Sequence, residues 1–149
     1  LIGDGPMRDE LDARISSIGM TEHFHFAGLV PPAQVHRYLA QADLLWHLSL
    51  REGLPRSVVQ ALATGIPAIG FRLDGTPEVI LDGQTGYCTA PENVGEVVDA
   101  TRKLWRTPAL ARQMGENGRK LVLERFDWPL MADILEREYL ELLAQKARI

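Results

Sequence analysis

The sequence has little of what several protein classes require. It contains one cysteine, Cys88, so no internal disulfide can form and a reducing compartment, the cytoplasm, is expected. No apolar run approaches the roughly 20 residues that span a bilayer. The net charge is −4, without a long run of either sign. This balance argues against nucleic-acid binding as a main activity, which favours a basic face, and leaves no polybasic patch for a membrane.

What the chain does have is enough apolar content for a core. Its 149 residues are 46% hydrophobic, and domains commonly contain roughly 100–200 residues. We therefore expect a single compact domain over residues 1–149, in which only residues 145–149 form a loose tail.

Short apolar runs alternate with helix-like segments, which predicts an α/β fold. Buried strands are expected at residues 43–48, 67–71 and 86–88, and a strand of alternating His and Phe at 23–26. Helices are expected at residues 7–18, from 31 onward, and at 55–64, 77–81, 94–105, 108–124 and 128–144. This order predicts a Rossmann-like parallel sheet with helices on both faces.

The most informative segment connects the strand at 43–48 to the next helix. Pro55 suits the first helical position, which needs no backbone N–H, and the free amides of that helix end suit a phosphate or diphosphate. Glu52 lies just before the helix, where a carboxylate would bind hydroxyl groups. Because ligands of parallel sheets bind beyond the carboxyl ends of the strands, we expect one rim to hold four loops, at residues 3–6, 28–30, 49–56 and 74–78.

Several motifs follow one another in a recognisable order. They are Gly3-Asp4-Gly5-Pro6, Glu52-Gly53, Ala61-Leu62-Ala63-x-Gly65-x-Pro67, Gly75-x-Pro77-Glu78 and Asp82-Gly83-x-Thr85-Gly86. This order resembles the C-terminal half of the GT-B glycosyltransferases of the group 1, glycogen-synthase-like retaining family, to about residue 143. The resemblance implies a domain that binds a nucleotide diphosphate sugar, in an enzyme that transfers the sugar to a glycan, lipid or small-molecule acceptor with retention of configuration.

By this resemblance, Glu52 is the catalytic candidate, because it matches the first Glu of the family's Glu-x7-Glu pair, which contacts hydroxyls of the transferred sugar. Charge-assisted hydrogen bonds to such a carboxylate are about twice as strong as neutral ones. Gln60 stands in place of the second Glu, which would accept from both ribose hydroxyls, and we expect the change to weaken nucleotide binding by ~1 kcal/mol. The alternatives are that Glu52 only favours the helix dipole and that Gln60 is an ordinary polar helix residue.

Further donor contacts are implied around the same helix end. Since Pro55 has no N–H, the diphosphate is expected at the amides of Gly53, Leu54 and Arg56. The side chain of Arg56 either reaches the ribose or phosphate or faces solvent.

Other donor contacts are implied in the remaining loops. Gly3 and Gly5 allow close backbone approach to a ligand. The backbone of Gly28, Leu29 and Val30 would hold the base, unless these residues form an ordinary strand exit.

The family's Gly-Gly-x-x-Glu motif is matched by Gly75 and Glu78, with Asp74 in place of the first Gly. Asp74 adds negative charge near the expected diphosphate, which disfavours close contact from that residue. Glu78 has the alternative role of a structural acid in a first helical turn.

The resemblance also implies what the chain works with. The donor is a nucleotide sugar, and no metal or other cofactor is required. We expect the chain to be a fragment that lacks its first strand and an N-terminal acceptor domain, through which alone a peripheral membrane contact would arise. Such a fragment should bind a nucleotide weakly and transfer nothing.

Two other functions stay open. One is a noncatalytic relative that acts as an interaction module, with Gln60 and Asp74 marking a lost donor site. The other is a dinucleotide-dependent oxidoreductase, which is disfavoured by Arg8 at the position where the fingerprint requires a third Gly.

The remaining candidates favour structural roles. His23 and His25 share a strand face but lack a third metal ligand. His47 is expected to be buried and bonded to backbone, and Cys88 to be inert. Three tryptophans are expected to pack in the core or between helices: Trp46, Trp105 and Trp128.

Overall fold

The computed structural model describes residues 1–146. The chain divides into two compact units, Leu1–Tyr38 and a larger one that begins at Leu39. Of the expected tail, residues 145 and 146 belong to the last helix, and residues 147–149 lie outside the described part of the chain.

The first unit contains one helix and all but the last residue of a second, and the strand predicted at residues 23–26 is wrong. Helix α1 spans Arg8–Ser17 and α2 spans Pro32–Leu39, both close to the predicted positions. At residues 21–23 the chain forms a 3-10 turn, and residues 24–26 belong to no strand. The backbone there makes only separate bonds, among them one from the N–H of Ala27 to the carbonyl of Leu1 at 2.9 Å. The 3-10 turn includes only His23 of the predicted strand, and residues 25–28 bond to residues 1–3 at too few points to form a ladder.

The second unit is built on a three-stranded parallel sheet. Its strands are β1 (Leu45–His47), β2 (Ala68–Phe71) and β3 (Gly86–Thr89), in the order β1-β2-β3. In the register, Trp46 lies opposite Ile69, and Ile69 opposite Tyr87. The predicted α/β fold with a parallel sheet is confirmed.

Five helices complete the second unit in the described chain. They are α3 (Arg56–Ala63), α4 (Thr76–Val79), α5 (Val94–Arg106), α6 (Pro108–Arg125) and α7 (Trp128–Lys146). Most of their ends lie within one or two residues of the predicted ones. Helix α3 begins one residue later than predicted, because Pro55 is its N-cap. Within residues 1–146, no helix is both long and apolar enough to cross a membrane.

Both faces of the sheet are covered, because successive residues of a strand point to opposite sides. Ala68 packs in one cluster with Val58 and Leu62 of α3. Its neighbour Ile69 packs in another, with Val97 of α5 among others. Helix α3 therefore lies on one face and α5 on the other, and α6 contributes residues to both clusters.

The tryptophans are more exposed than predicted. Trp46, Trp105 and Trp128 are 57%, 79% and 76% exposed. Trp46 lies on the edge strand β1, where its indole N–H donates to the hydroxyl of Thr101 at 3.0 Å. Trp105 lies beside the buried Leu104 but on the outer face of α5. Trp128 starts α7, a helix without buried residues along its described length.

Helix α6 approaches α3 closely through a glycine. A Cβ at Gly115 would overlap the backbone carbonyl of Gly65, just after α3. Backbone atoms cannot move aside as a flexible side chain can, so this position requires the smallest residue. Gly115 therefore sets the distance between the two helices.

We predict that Gly115→Ala lowers the free energy of unfolding by about 2 kcal/mol, the usual cost of overpacking, despite the better helix propensity of Ala. Urea denaturation measures the change. The exposed neighbour Glu116 supplies the control, since Glu116→Ala should stay within about 0.5 kcal/mol of wild type. Equal stability of the two variants would contradict the close approach.

Candidate functional site

The loop between β1 and α3 leaves the start of α3 open. Pro55 is buried and its carbonyl accepts from the amides of Val58 and Val59 at 3.0 and 3.1 Å. Among residues 1–146, no side chain caps this helix end. The first amides of a helix have no partner within it, so those of Arg56 and Ser57 are available to a ligand.

A second loop holds the first one in place. The backbone N–H of Glu52 donates to the carboxylate of Asp74 at 3.0 Å. A Cβ at Gly75 would overlap the carbonyl oxygen of Gly53, so the two loops touch through their backbones. Asp74 has φ of +47°, a left-handed conformation that Gly adopts readily and Asp tolerates better than most residues. Asp74 can therefore adopt a backbone conformation that usually requires Gly. Its carboxylate binds the backbone of the neighbouring loop.

The side chain of Glu52 lies at the edge of this loop. It is 34% exposed, and its Oε1 lies 3.5 Å from Nε2 of His47. The carboxylate is thus not part of the packed interior. It lies next to an uncapped helix end, which is the arrangement that the sequence predicts for a site that binds a hydroxyl and an anion side by side.

His47 has a different environment from the one predicted. Its side chain is 13% exposed, and its Nδ1 lies 3.1 Å from the hydroxyl of Ser57. Within the described residues, Nε2 is buried without a hydrogen-bond partner. The expected bond to backbone is therefore wrong, because the ring lies between a hydroxyl and a carboxylate. Burial lowers the pKa of His47 below its usual 6.5, and the charge of Glu52 opposes this shift.

Ser57 is the residue that sequence reasoning missed. It occupies the first turn of α3, directly beyond the end of β1 in space. The available signal was its place two residues after Pro55, where a side chain can reach back to the preceding strand.

The other predicted donor contacts of this unit lie on exposed surface. Arg56 and Gln60 occupy the exposed face of α3, opposite the buried Val58 and Leu62. Gly53 and Leu54 are exposed in the loop. Glu78 is exposed in the first turn of α4. Their contact with a donor stays a prediction.

The predicted contacts in the first unit form a separate group. Gly3 and Gly28, both with positive φ, pair in an isolated bridge. The amide of Gly5 donates to the side chain of Asp4 at 2.9 Å. Leu29 is exposed and Val30 half-buried. The convergence of the four loops on one rim stays a prediction.

The Asp82-Gly83-x-Thr85-Gly86 motif has a structural role. The carboxylate of Asp82 accepts from Arg72 at 3.1 Å and from the amide of Cys88 at 3.0 Å. The buried hydroxyl of Thr85 accepts from the amide of Leu81 at 2.9 Å. Burial raises the pKa of Cys88 to about 11, so its thiol stays protonated and is a poor nucleophile at neutral pH. These bonds fix the start of β3.

Residues 1–121 match the family described as glycosyl transferases group 1. The chain is 33% identical over 144 residues to N-acetyl-alpha-D-glucosaminyl L-malate synthase of Bacillus anthracis, covering 96% of this chain and 37% of the relative. It is 30% identical over 136 residues to the GDP-mannose-dependent alpha-(1-6)-phosphatidylinositol monomannoside mannosyltransferase of Mycolicibacterium smegmatis, covering 86% and 35%.

The fold is also that of solved structures. Anabaena HepE, solved in complex with UDP-glucose, superposes with a TM-score of 0.83 at 22% identity, over 97% of this chain and 40% of that chain. The chain belongs to the group 1 family of glycosyl transferases, as the resemblance predicts. It spans just over a third of the length of the two relatives.

We predict that the pKa of His47 lies below 6.5 and falls further in Glu52→Gln, because the variant removes the negative charge that favours the protonated ring. The unfolded state then binds more protons than the folded state between the folded pKa and about 6.5. The free energy of unfolding should therefore decrease as the pH falls through this range. An NMR titration of the ring measures the pKa. A His47 pKa above 6.5 would contradict the effect of burial, and a rise of that pKa in Glu52→Gln would contradict the effect of Glu52.

Proposed function

We propose that this chain is the donor-binding part of a retaining glycosyltransferase that uses a nucleotide diphosphate sugar. The observation that carries the proposal is the uncapped start of α3 beside the part-exposed carboxylate of Glu52. Membership of the group 1 family supports it. The mycobacterial relative is named as dependent on GDP-mannose, and HepE was solved with UDP-glucose. Both observations also support the proposal.

The proposed binding mode follows from the charges of this corner. The diphosphate lies at the amides that begin α3, where the helix carries a partial positive charge, and Arg56 adds a cation on the same turn. Glu52 accepts hydrogen bonds from hydroxyls of the sugar. Gln60, one turn further along the exposed face of α3, lies nearer the ribose. Backbone amides and a guanidinium suffice for this anion, so we propose that no metal is required.

The proposed reaction breaks the bond between the anomeric carbon and the diphosphate oxygen. A bond from the anomeric carbon to an acceptor oxygen forms on the same face, and the proton of the acceptor hydroxyl passes to the leaving diphosphate. Negative charge develops on the leaving diphosphate, and donors fixed in advance at that oxygen lower the barrier. The helix amides are such donors, because folding has already placed them. In this proposal, stabilising the leaving group is the main contribution of this chain.

In this proposal, the acceptor binds to the part of the longer protein that lies outside this chain. The chain covers 37% of the first relative's length, so a second wall of the cleft would come from elsewhere in the protein. Any membrane contact would also come from there, and a cytoplasmic location is proposed. The chain by itself should therefore bind a nucleotide weakly and show no transfer.

The proposal is tested by titrating the 149-residue chain with UDP, GDP and ADP, followed by calorimetry or NMR. We expect saturable binding of at least one of them, unchanged when a metal chelator is added. Binding should weaken in Arg56→Ala, because one cation is lost near the diphosphate, by about tenfold. Arg119→Ala, on the exposed surface of α6, is the matched control. Absence of saturable binding to all three nucleotides would overturn the proposal.

A second variant separates a working donor site from a lost one. Gln60→Glu restores the family residue, and we expect it to tighten binding of the preferred nucleotide about fivefold, the effect of a charged ribose acceptor. Gln113→Glu, an exposed glutamine on α6, controls for the added charge. If Gln60→Glu and Gln113→Glu behave alike, the ribose does not lie at this position. A noncatalytic role would then gain support.

A further inference from the structure

A buried histidine lies directly behind the proposed sugar contact. His47 ends β1, and its ring reaches both the loop residue Glu52, at 3.5 Å, and Ser57 in the first turn of α3, at 3.1 Å. The three residues come from three consecutive parts of the chain. One ring therefore connects the strand, the loop and the helix that form the proposed donor site.

The surroundings of the ring favour one tautomer. A neutral imidazole carries a single N–H. If Nδ1 carried it, the lone pair of Nε2 would face the negative carboxylate of Glu52, and the two would repel. If Nε2 carries it, the hydroxyl of Ser57 donates to Nδ1, and the N–H of the ring points at Glu52. The second arrangement places a donor opposite every acceptor.

The distance to the carboxylate shows which group can adjust. The 3.5 Å between Nε2 and Oε1 exceeds the usual N–H···O distance of roughly 2.7–3.2 Å. Nε2 is buried and has no hydrogen-bond partner in the described part of the chain, which is costly for a polar atom. The ring is almost enclosed, whereas Glu52 is one-third exposed. A small rotation of Glu52 toward the ring would therefore complete the bond.

We propose that His47 is a positioning residue: its Nε2–H holds one carboxylate oxygen of Glu52, so that the other oxygen faces the sugar hydroxyls of the donor. Ser57 keeps the ring in the required tautomer. The inference rests on the proposed function and adds the reason why Glu52 has a fixed orientation. Asp74 already holds the backbone of Glu52, and His47 holds its side chain.

The test compares a nucleotide with its sugar derivative, since only the sugar needs Glu52. Dissociation constants of the 149-residue chain are measured for UDP and UDP-glucose, GDP and GDP-mannose, and ADP and ADP-glucose. For the preferred pair, the dissociation constant of the nucleotide divided by that of the nucleotide sugar reports the contribution of the sugar to binding. We expect His47→Phe to reduce this ratio about tenfold, the loss of one hydrogen bond to a charged group, with little change in nucleotide affinity. His36→Phe, at an exposed histidine of α2, is the control.

Two further variants keep the test independent of folding defects. Ser57→Ala alters an exposed residue, and we expect a loss about threefold in the same ratio, because the ring is no longer held in one tautomer. Ser16→Ala on α1 is its control. His47→Gln places an amide N–H near the position of Nε2 and should recover more of the ratio than His47→Phe. A purely structural role predicts equal effects on nucleotide and nucleotide sugar, and no such recovery.

The tautomer itself gives a readout that needs no ligand. Nitrogen-15 NMR of the ring should show hydrogen on Nε2 in the wild type and a mixture in Ser57→Ala. Hydrogen on Nδ1 in the wild type would overturn the inference, and so would an unchanged ratio in folded His47→Phe, while the proposed function would stand. If the wild type binds none of the nucleotides, the proposed function fails, and this inference fails with it.

Discussion

The site depends on the contact between two loops that follow neighbouring strands. The amide of Glu52 donates to the carboxylate of Asp74, and Gly75 allows the backbone of Gly53 to approach closely. Because β1 and β2 are parallel neighbours, their carboxyl ends lie side by side, and so do the loops that leave them. Without this contact, Glu52 would belong to a free surface loop. With it, the carboxylate keeps a defined place beside the start of α3.

The same local sequence serves both the core and the site. On α3, Val58, Ala61 and Leu62 are fully buried, which fixes the rotation of the helix on the sheet. The residues between them, Arg56 and Gln60, then face outward. The glycines of α6 allow α6 to pack closely against α3 and the residues that follow it. The direction of the uncapped amides is therefore set by core packing, and a ligand need not order the helix when it binds.

Much of the fold could be predicted from the sequence because its signals are local and strong. The buried strand β2 is apolar at every position but Gly70, and prolines stand at or near the starts of α2, α3, α4 and α6. The strand predicted at 23–26 is wrong, because a ladder needs a partner that is distant in sequence, and residues 25–28 meet residues 1–3 through only a few backbone bonds. The burial of the tryptophans was predicted wrongly for another reason. Whether an aromatic residue of a helix or an edge strand is buried depends on which other elements pack against it.

The candidate site shows the same limit. Glu52, Gly53 and Gly75 could be selected from motif order, and the uncapped helix start from Pro55. Two interactions were not accessible, those of Asp74 with the amide of Glu52 and of His47 with Ser57, because both join residues whose distance depends on the packed sheet. Asp74 required its φ of +47° to be known, and a sequence does not state backbone angles.

The two departures from the family pattern differ in what surrounds them. Asp74 replaces a glycine, but its carboxylate is bound within the domain, to the loop that carries Glu52. Its negative charge is partly offset by that N–H, and removing it would loosen the loop. Gln60 replaces a glutamate on the exposed face of α3, where its side chain contributes nothing to the core. A change at Gln60 should therefore leave the fold nearly unaffected, whereas a change at Asp74 would affect the loop that carries Glu52. In the proposed function, Gln60 would therefore affect nucleotide binding directly, and Asp74 through the loop that carries Glu52.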